Sequence, residues 1–483
     1  VQEAIPDGAS LIEFLRYRHY QGKCEWQDSY GALLLFGCAQ PKWVSLGAAD
    51  AIDQNLKLYQ HLMRSEAGPD ALSCLLHEIY RQLWAPLAPA LPAETKQVII
   101  SPDSQLNFLS FATLLTSSHQ FLAEEYAISY VSSGRDLLGE SPTRRSRNQT
   151  GRGSGTRSAL DLSNPSELTG RCDSQSHGPL APSAQFLVWA NPDFGAIVAG
   201  NSAPGLITPP RGTASLRDLR NLDFRPLPGA EREGRVLWEH ASDYGFAQGV
   251  LRLGKEATEA ELGRVQSPRV LHLATHGFVL PQDDASGSQE DSPGSGSGIL
   301  SAALKITNPM LRSGLALAGA KHTLEAWGKG QAVPADNDGI VTAEEIGCLN
   351  LRGTRLVVLS ACDTGMGEAR AGEGVLGLRR GFIQAGAQSL LLTLWPIDDE
   401  KTAGFMPEIY AATGRTGDAA RALAEVQRDW LKKLRSEKGV AEACKIAGPF
   451  ILSFQGKSGA DTGEASPGSK AATAREGEPP AEP

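Results

Sequence analysis

Residues 354–395, TRLVVLSACDTGMGEARAGEGVLGLRRGFIQAGAQSLLLTLW, contain two apolar runs separated by a helical segment. The runs TRLVVLSAC and QSLLLTLW are almost continuously apolar, which is typical of parallel strands covered on both faces. Between them, Val375, Leu378 and Phe382 have the i, i+3, i+7 spacing of one helix face, and Gly386 is placed to end the helix. The stretch predicts a strand–helix–strand crossover, the unit of a parallel sheet.

Apolar runs of strand length also occur upstream of this unit. RVLHLATH (269–276) and AQFLVWANPDFG (184–195) are such runs, and KQVIISPD (96–103) and YAISYVSS (126–133) read as shorter strands. AIDQNLKLYQHLMRSE (51–66) is amphipathic and helical. We therefore predict an α/β fold with a mostly parallel sheet flanked by helices: residues 1–140 form an N-terminal α/β part and residues 184–456 form the core.

Three segments have too few apolar residues to repay the entropy of ordering. Residues 141–183 are rich in Ser, Gly and Arg, residues 283–298 are rich in Ser, Gly and Asp, and residues 457–483 are rich in Gly, Pro, Ala and Glu. We predict a flexible insertion, a mobile loop and a disordered tail.

Composition excludes several classes of function. The net charge of -9 over 483 residues disfavours nucleic acid as a partner, and no long apolar run or secretory signal suggests a membrane. Seven scattered cysteines without a CxxC pair predict neither a disulfide framework nor structural zinc, and no cofactor-binding pattern occurs. The expected location is cytoplasmic, with no cofactor, and the initial Val suggests a fragment of a longer chain.

Reactive side chains follow two of the predicted strands. RVLHLATHGF ends in His276 and Gly277, and LVVLSACDTG ends in Cys362 and Asp363. Ligands bind at the carboxyl ends of parallel strands, so the pair could form a cysteine–histidine dyad, with the amides of Gly277 and Cys362 as oxyanion donors. Each residue alone has a structural alternative, because small buried cysteines and turn histidines are common at strand ends.

The spacing of His272 and His276 also fits a zinc-binding HExxH helix, but two features oppose that interpretation. The segment reads as a strand, and Leu273 occupies the position of the required glutamate. We expect His272 to pack within the sheet and no metal site to form.

Several motifs together resemble the CHAT domain, the caspase-like peptidase domain often found behind TPR repeats in bacterial proteins. They are VLHLATHGF, SGLALAGA, and the run from DGIVTAEEIG through SACDTGMGEARAGEGVLGLRRGF to LWPIDDE, with VIISPDSQLNFLSFATLL upstream and AGPFILSFQG near residue 450. The resemblance implies a caspase-like sheet in which His276 is the general base and Cys362 the nucleophile. It implies no third catalytic side chain, so what orients His276 stays open.

Acidic residues near the implied nucleophile bear on specificity. Asp363, Asp398 and Asp399 could line an S1 pocket and favour Arg or Lys at P1, with Asp399 as the floor. The alternative is that they form a solvated turn or a helix N-cap. A basic P1 preference would also make the arginines of the 141–183 insertion candidates for self-cleavage.

The resemblance implies a cysteine endopeptidase (a hydrolase) acting on a protein substrate, such as a bacterial gasdermin or another effector, in antiviral defence or regulated cell death. An upstream TPR region or regulator would be its partner. The alternative is a catalytically idle caspase-like scaffold that binds partner proteins, because fold alone does not establish activity.

Overall fold

The structure is a computed structural model. It describes residues 1–37, 39–65, 68–139, 186–199, 222–247, 249–279, 308–329, 331, 333–334, 337–360, 368–370, 374–397, 400 and 404–456. The segments predicted to be mobile, 141–183, 283–298 and 457–483, lie outside these residues.

The described strands and helices alternate along most of the chain. The strands are β1 (Ala9–Gly22), β2 (Glu25–Leu35), β3 (Lys42–Ala48), β4 (Gln97–Ser101), β5 (Ala127–Tyr130), β6 (Phe186–Pro192), β7 (Val250–Gly254), β8 (Val270–Ala274), β9 (Gly277–Val279), β10 (Ser313–Ala316), β11 (Ile340–Thr342), β12 (Leu356–Leu359), β13 (Glu368–Arg370), β14 (Gly374–Leu376), β15 (Ser389–Thr393) and β16 (Phe450–Phe454). The helices are α1 (Ala49–Arg64), α2 (Pro69–Leu83), α3 (Leu122–Glu125), α4 (Pro228–Glu239), α5 (Glu259–Gly263), α6 (Ala320–Gly328), α7 (Ala343–Ile346), α8 (Leu378–Ala385), α9 (Phe405–Thr416), α10 (Ala419–Lys438) and α11 (Val440–Ala447).

Within the described residues, one large sheet has eleven strands in the order β3-β2-β1-β4-β5-β16-β15-β12-β8-β6-β7. The strands β15, β12, β8, β6 and β7 are parallel to one another. Antiparallel pairing joins β15 to β16 and links β1, β2 and β3 into a meander. The sheet therefore runs through both the N-terminal part and the core and is parallel in the half that carries His276.

The crossover predicted from residues 354–395 is confirmed in its main elements. Strands β12 and β15 are parallel neighbours, and α8 lies between them in the chain. Gly386 ends the helix with φ +105, a left-handed conformation that suits glycine. The predicted helix start was wrong, because Val375 belongs to β14 and Gly377 is extended before the first helical residue.

Most of the parallel strands are buried on both faces, as their composition predicted, whereas β7 at the edge of the sheet is only partly buried. The residues of β8 and β12 are all buried, and Trp189 and Phe186 of β6 are fully enclosed. Cys24, Cys74 and Cys444 are free thiols, whereas Cys348 is disulfide-bonded, a state that the scattered cysteine spacing did not predict.

A second, smaller apolar cluster packs beside the end of β8. It surrounds a three-stranded sheet of order β11-β10-β9 and the helix α6. Its buried members are Phe194, Phe224, Phe278, Ala316, Ala320, Leu324, Ala326, Trp327, Val333 and Ile340. The candidate functional site lies against this cluster.

Candidate functional site

The candidate site lies where β8 and β12 end side by side. Leu273 is the register partner of Leu359, and the next amide, that of Ser360, donates to the Leu273 carbonyl at 3.0 Å. The described part of this strand ends at Ser360. Cys362, Asp363, Asp398 and Asp399 lie outside the described residues, whereas His276 and Gly277 lie within them.

His276 occupies the junction between the two sheets. It follows β8 of the large sheet by two residues and immediately precedes β9 of the small sheet. Its carbonyl accepts a hydrogen bond from the Ala316 amide at 2.9 Å, and the neighbouring Thr275 hydroxyl donates to the Ala316 carbonyl at 2.5 Å. The backbone of His276 is therefore fixed by β10, while its side chain is only half-buried.

The imidazole of His276 is oriented by a backbone carbonyl. Its Nε2 lies 2.8 Å from the carbonyl oxygen of Arg225, in the segment that precedes α4. A carbonyl can only accept, so Nε2 must carry the hydrogen, and in the neutral ring Nδ1 then keeps the lone pair. The Arg225 carbonyl therefore orients the His276 imidazole, a role for which the sequence identified no side chain.

Two phenylalanines pack against the same imidazole. The ring centroids of Phe194 and Phe224 lie 5.1 Å and 5.6 Å from that of His276. Both side chains are buried in the smaller apolar cluster. The imidazole therefore packs against two apolar rings in addition to making its hydrogen bond, which restricts its rotation.

The register of β9 determines the direction of the Gly277 amide. Gly277 is opposite Leu315, one residue beyond the position where Ala316 bonds His276. Hydrogen-bonded and non-hydrogen-bonded pairs alternate along an antiparallel ladder, so Gly277 and Leu315 form a non-hydrogen-bonded pair. The Gly277 N–H therefore points away from β10, toward the outer edge of β9.

A charged pair lies in the segment whose Arg225 carbonyl orients the imidazole. Asp223 accepts a hydrogen bond from Arg225 Nε at 2.7 Å, and both side chains are exposed. This hydrogen bond lowers the pKa of the Asp223 carboxyl, and the positive charges of Arg225 and Lys321 add to the effect. The site thus has a carboxylate near His276 that the sequence did not single out.

His272, four residues before His276, is fully buried in β8. Its Nδ1 lies 3.0 Å from the Tyr410 hydroxyl, and its Nε2 lies 2.9 Å from Glu233 Oε1 without the alignment of a hydrogen bond. Burial raises the pKa of Tyr410 well above its usual value, and the Glu233 charge raises it further. His272 joins β8 to helices α4 and α9 and is not open to substrate.

An acidic side chain, that of Glu259, forms a hydrogen bond with the backbone immediately before β11 of the small sheet. Glu259, the first residue of α5, accepts a hydrogen bond from the Gly339 amide at 3.2 Å. Part of Glu259 reaches solvent, yet its carboxyl is enclosed by protein. This burial raises the pKa of Glu259 well above its usual value, and the nearby charges of Asp338 and Glu345 raise it further.

Glu259→Gln is expected to change how stability depends on pH. The folded state of the wild type binds the Glu259 proton more tightly than the unfolded state, so its stability falls as pH rises from the unfolded pKa of 4.5 toward the raised folded pKa. Glutamine keeps an acceptor for Gly339 but does not titrate. Urea unfolding at about pH 5 and about pH 8 should show the wild type losing about 1 kcal/mol or more relative to the variant. Parallel pH curves for the two proteins would contradict this.

The described residues contain neither a metal-binding cluster nor a membrane-spanning helix. No group of three or more His, Cys, Asp or Glu side chains there has an arrangement that could hold a metal ion. Among the described helices, none combines the length and apolarity needed to span a bilayer.

Sequence reasoning missed the groups that hold His276. Arg225 acts through its carbonyl, which every residue possesses, so no side-chain pattern could identify it. Phe194 lies in the ANPDFG turn at the end of an apolar strand, and that position was an available signal.

The family model of the CHAT domain matches residues 74–459, which is most of the chain. The chain therefore belongs to the CHAT domain family, and the predicted fold class, a caspase-like α/β fold with a mostly parallel sheet flanked by helices, is confirmed.

One similar solved structure is the separase–securin complex of Saccharomyces cerevisiae, with 8% identity and a TM-score of 0.43. The match covers 94% of this chain but only 30% of the length of that one. No curated protein is similar enough to this chain to count as a relative.

Proposed function

We propose that this CHAT domain is a cysteine endopeptidase in which Cys362 is the nucleophile and His276 the general base. One observation supports the proposal: the register that pairs Leu273 with Leu359 aligns the ends of β8 and β12, and in the sequence His276 follows Leu273 by three residues just as Cys362 follows Leu359. Neighbouring strands are separated by about 4.8 Å. Two residues beyond Ser360, the Cys362 Cα can lie at most about 7.6 Å from that of Ser360, a chain length that is compatible with a thiol close to the imidazole.

The tautomer of His276 supports the role of a base. With Nε2–H donating to the Arg225 carbonyl, Nδ1 is free to accept the Cys362 proton. The same carbonyl stabilises the imidazolium that forms, because a hydrogen bond from a charged donor is stronger than one from a neutral donor. The carbonyl thus takes the place that an aspartate occupies in a catalytic triad.

The proposed hydrolysis proceeds through a thioester between Cys362 and the substrate. The Cys362 thiol gives its proton to His276, and the thiolate attacks the scissile carbonyl to form an S–C bond. The resulting oxyanion is bound by the outward-pointing Gly277 amide and by the amide of Cys362. The C–N bond breaks as His276 protonates the leaving amine. Water, deprotonated by His276, then hydrolyses the thioester and releases the thiol.

We also propose a preference for Arg or Lys at P1, with Asp399 as the floor of S1 and Asp363 and Asp398 near it. A carboxylate in an enclosed pocket favours a basic side chain and disfavours an acidic one. Asp223, although near His276, is exposed and already paired with Arg225, so it is a weaker candidate for this role.

Peptide hydrolysis tests the activity and the P1 preference together. Among otherwise identical reporters with P1 Arg, Lys, Asp or Leu, the basic pair should be cleaved about 100-fold faster, and Cys362→Ala should cleave none. Asp399→Asn should reduce this preference, whereas Asp223→Asn should retain it. Faster cleavage after Asp would contradict the basic preference, and cleavage by Cys362→Ala would contradict the proposed nucleophile.

The substrate is proposed to be a protein, and regulation is proposed to come from an upstream TPR region or another partner. A bacterial gasdermin or other defence effector would fit an endopeptidase of this family. Identification of new protein N-termini after incubation with wild-type enzyme, but not with Cys362→Ala, would name the substrate. If no new N-termini arise and no reporter is cleaved, the alternative of an inactive partner-binding scaffold is favoured.

A further inference from the structure

Asn191, at the end of β6, has an unusual backbone conformation. Its φ is +44, a left-handed value that non-glycine residues seldom adopt and that asparagine tolerates better than most. The pairing of β6 with β7 shifts register between Ala190 and Pro192, so Asn191 occupies a bulge. Bulges next to active sites commonly redirect a side chain.

The Asn191 side chain uses both ends of its amide on the segment that begins α4. Its Oδ1 accepts a hydrogen bond from the Leu227 amide at 2.7 Å, and its Nδ2 donates to Glu231 Oε2 at 3.0 Å. Leu227 is the N-cap residue of α4 and caps no amide with its own side chain. Asn191 therefore joins the end of β6 to the start of α4.

This start of α4 is attached directly to the carbonyl that orients His276. Arg225 is two residues before Leu227, and its side chain is 81% exposed, so it does not anchor the segment itself. On one side, the segment is held by Phe224, which is buried against His276. On the other side, it is held by the Asn191–Leu227 hydrogen bond.

We propose that Asn191 is a positioning residue for the candidate base. It fixes the Leu227 amide, Leu227 fixes the position of the Arg225 carbonyl, and that carbonyl fixes the imidazole of His276. Asn191 touches neither substrate nor reacting atoms. The kinetic consequence rests on the proposed peptidase function, whereas the effect on the imidazole does not.

Substitutions at Asn191 can distinguish the role of its side-chain hydrogen bonds from the role of its left-handed backbone conformation. Asn191→Gly keeps the left-handed conformation without strain and removes both side-chain hydrogen bonds. The double variant Asn191→Asp/Glu231→Gln restores the acceptor for the Leu227 amide, and the glutamine amide can donate to the new carboxylate, so that no second carboxylate faces it. Ser267→Gly is the matched control, because Ser267 also has a left-handed backbone, with φ +46, but lies before β8 at the opposite end of the strand from His276.

The primary measurement is the NMR spectrum of the nine histidines, labelled with 15N, with the His276 signal assigned by its loss in His276→Gln. The wild type and Ser267→Gly should show a slowly exchanging Nε2–H proton for His276. Asn191→Gly should lose that proton by exchange with water, and Asn191→Asp/Glu231→Gln should recover it. Retention of the protected proton in Asn191→Gly would overturn the proposal.

Kinetics provide a second measurement if the protein cleaves peptides. Small displacements of a catalytic group cost about 10-fold to 100-fold in rate. Asn191→Gly should therefore lower kcat by about that factor and change KM less than about twofold. A raised KM with unchanged kcat would contradict the proposed role. Because the NMR result does not depend on turnover, an inactive wild type would refute the peptidase function without deciding the role of Asn191.

Discussion

Replacing His276 with alanine should lower kcat/KM by at least about 10³-fold, because the Cys362 thiol then has no base and the leaving amine no acid. The fold should be retained, since the His276 side chain is half-buried and its backbone hydrogen bond to Ala316 does not depend on the imidazole. Steady-state hydrolysis of a P1 Arg reporter measures the first effect, and thermal unfolding measures the second.

A double variant that combines His276→Ala with Cys362→Ala tests whether the two residues act as one catalytic unit. Residues that act as one catalytic unit have non-additive effects, so the double variant should be no slower than Cys362→Ala alone. His19→Ala, at an exposed histidine on β1, is the control and should leave the rate unchanged. More than a tenth of wild-type activity in His276→Ala would exclude His276 as the base.

Gly234→Ala is expected to destabilise the folded protein. Gly234 lies in α4 where the helix meets β6, and a Cβ there would lie 2.6 Å from the Ala190 Cβ and 3.2 Å from Val188 Cγ1. Alanine normally stabilises a helix interior by about 1 kcal/mol relative to glycine, but overpacking costs about 1–3 kcal/mol or more. Since Ala190 belongs to β6, which is paired with β8 on one side and β7 on the other, it cannot move freely, and we expect a net loss of about 2 kcal/mol.

This substitution should also reduce activity, because displacing α4 moves the Arg225 carbonyl and the partners of Asn191. Gly263→Ala in α5 is the matched control, since a Cβ there meets nothing within 4 Å, and its stability should be unchanged or slightly higher. Urea denaturation of both variants and the wild type gives the comparison. Equal stability of Gly234→Ala and Gly263→Ala would contradict the close packing of α4 on β6.

The parallel half of the fold could be predicted because its strands can be recognised from their own residues. Continuous apolar runs identified β8, β12 and β15, and Gly386 gave the end of α8. The meander of β1, β2 and β3 was not predicted, because β1 is apolar only in its first half and continues as exposed polar residues such as Arg18 and Gln21. Its outer half is specified by pairing with β2 and not by burial.

The candidate site could be predicted only in part from the sequence. A histidine after one buried strand identified the candidate base. Its surroundings depend on contacts between segments far apart in sequence: Arg225 is 51 residues from His276, and Asn191 is 36 residues from Leu227. Contacts made through backbone groups leave no residue type to recognise, so they become visible only in the fold.

The most direct test of the proposed dyad is chemical labelling of its nucleophile. A peptide with P1 Arg and a thiol-reactive group at the scissile position is incubated with wild type, Cys362→Ala and His276→Ala, and the modified residue is mapped by mass spectrometry. We predict one adduct on Cys362 of the wild type, none in Cys362→Ala, and labelling at least about 100-fold slower in His276→Ala. An adduct on another cysteine, or equally fast labelling of Cys362 without His276, would contradict a Cys362–His276 dyad.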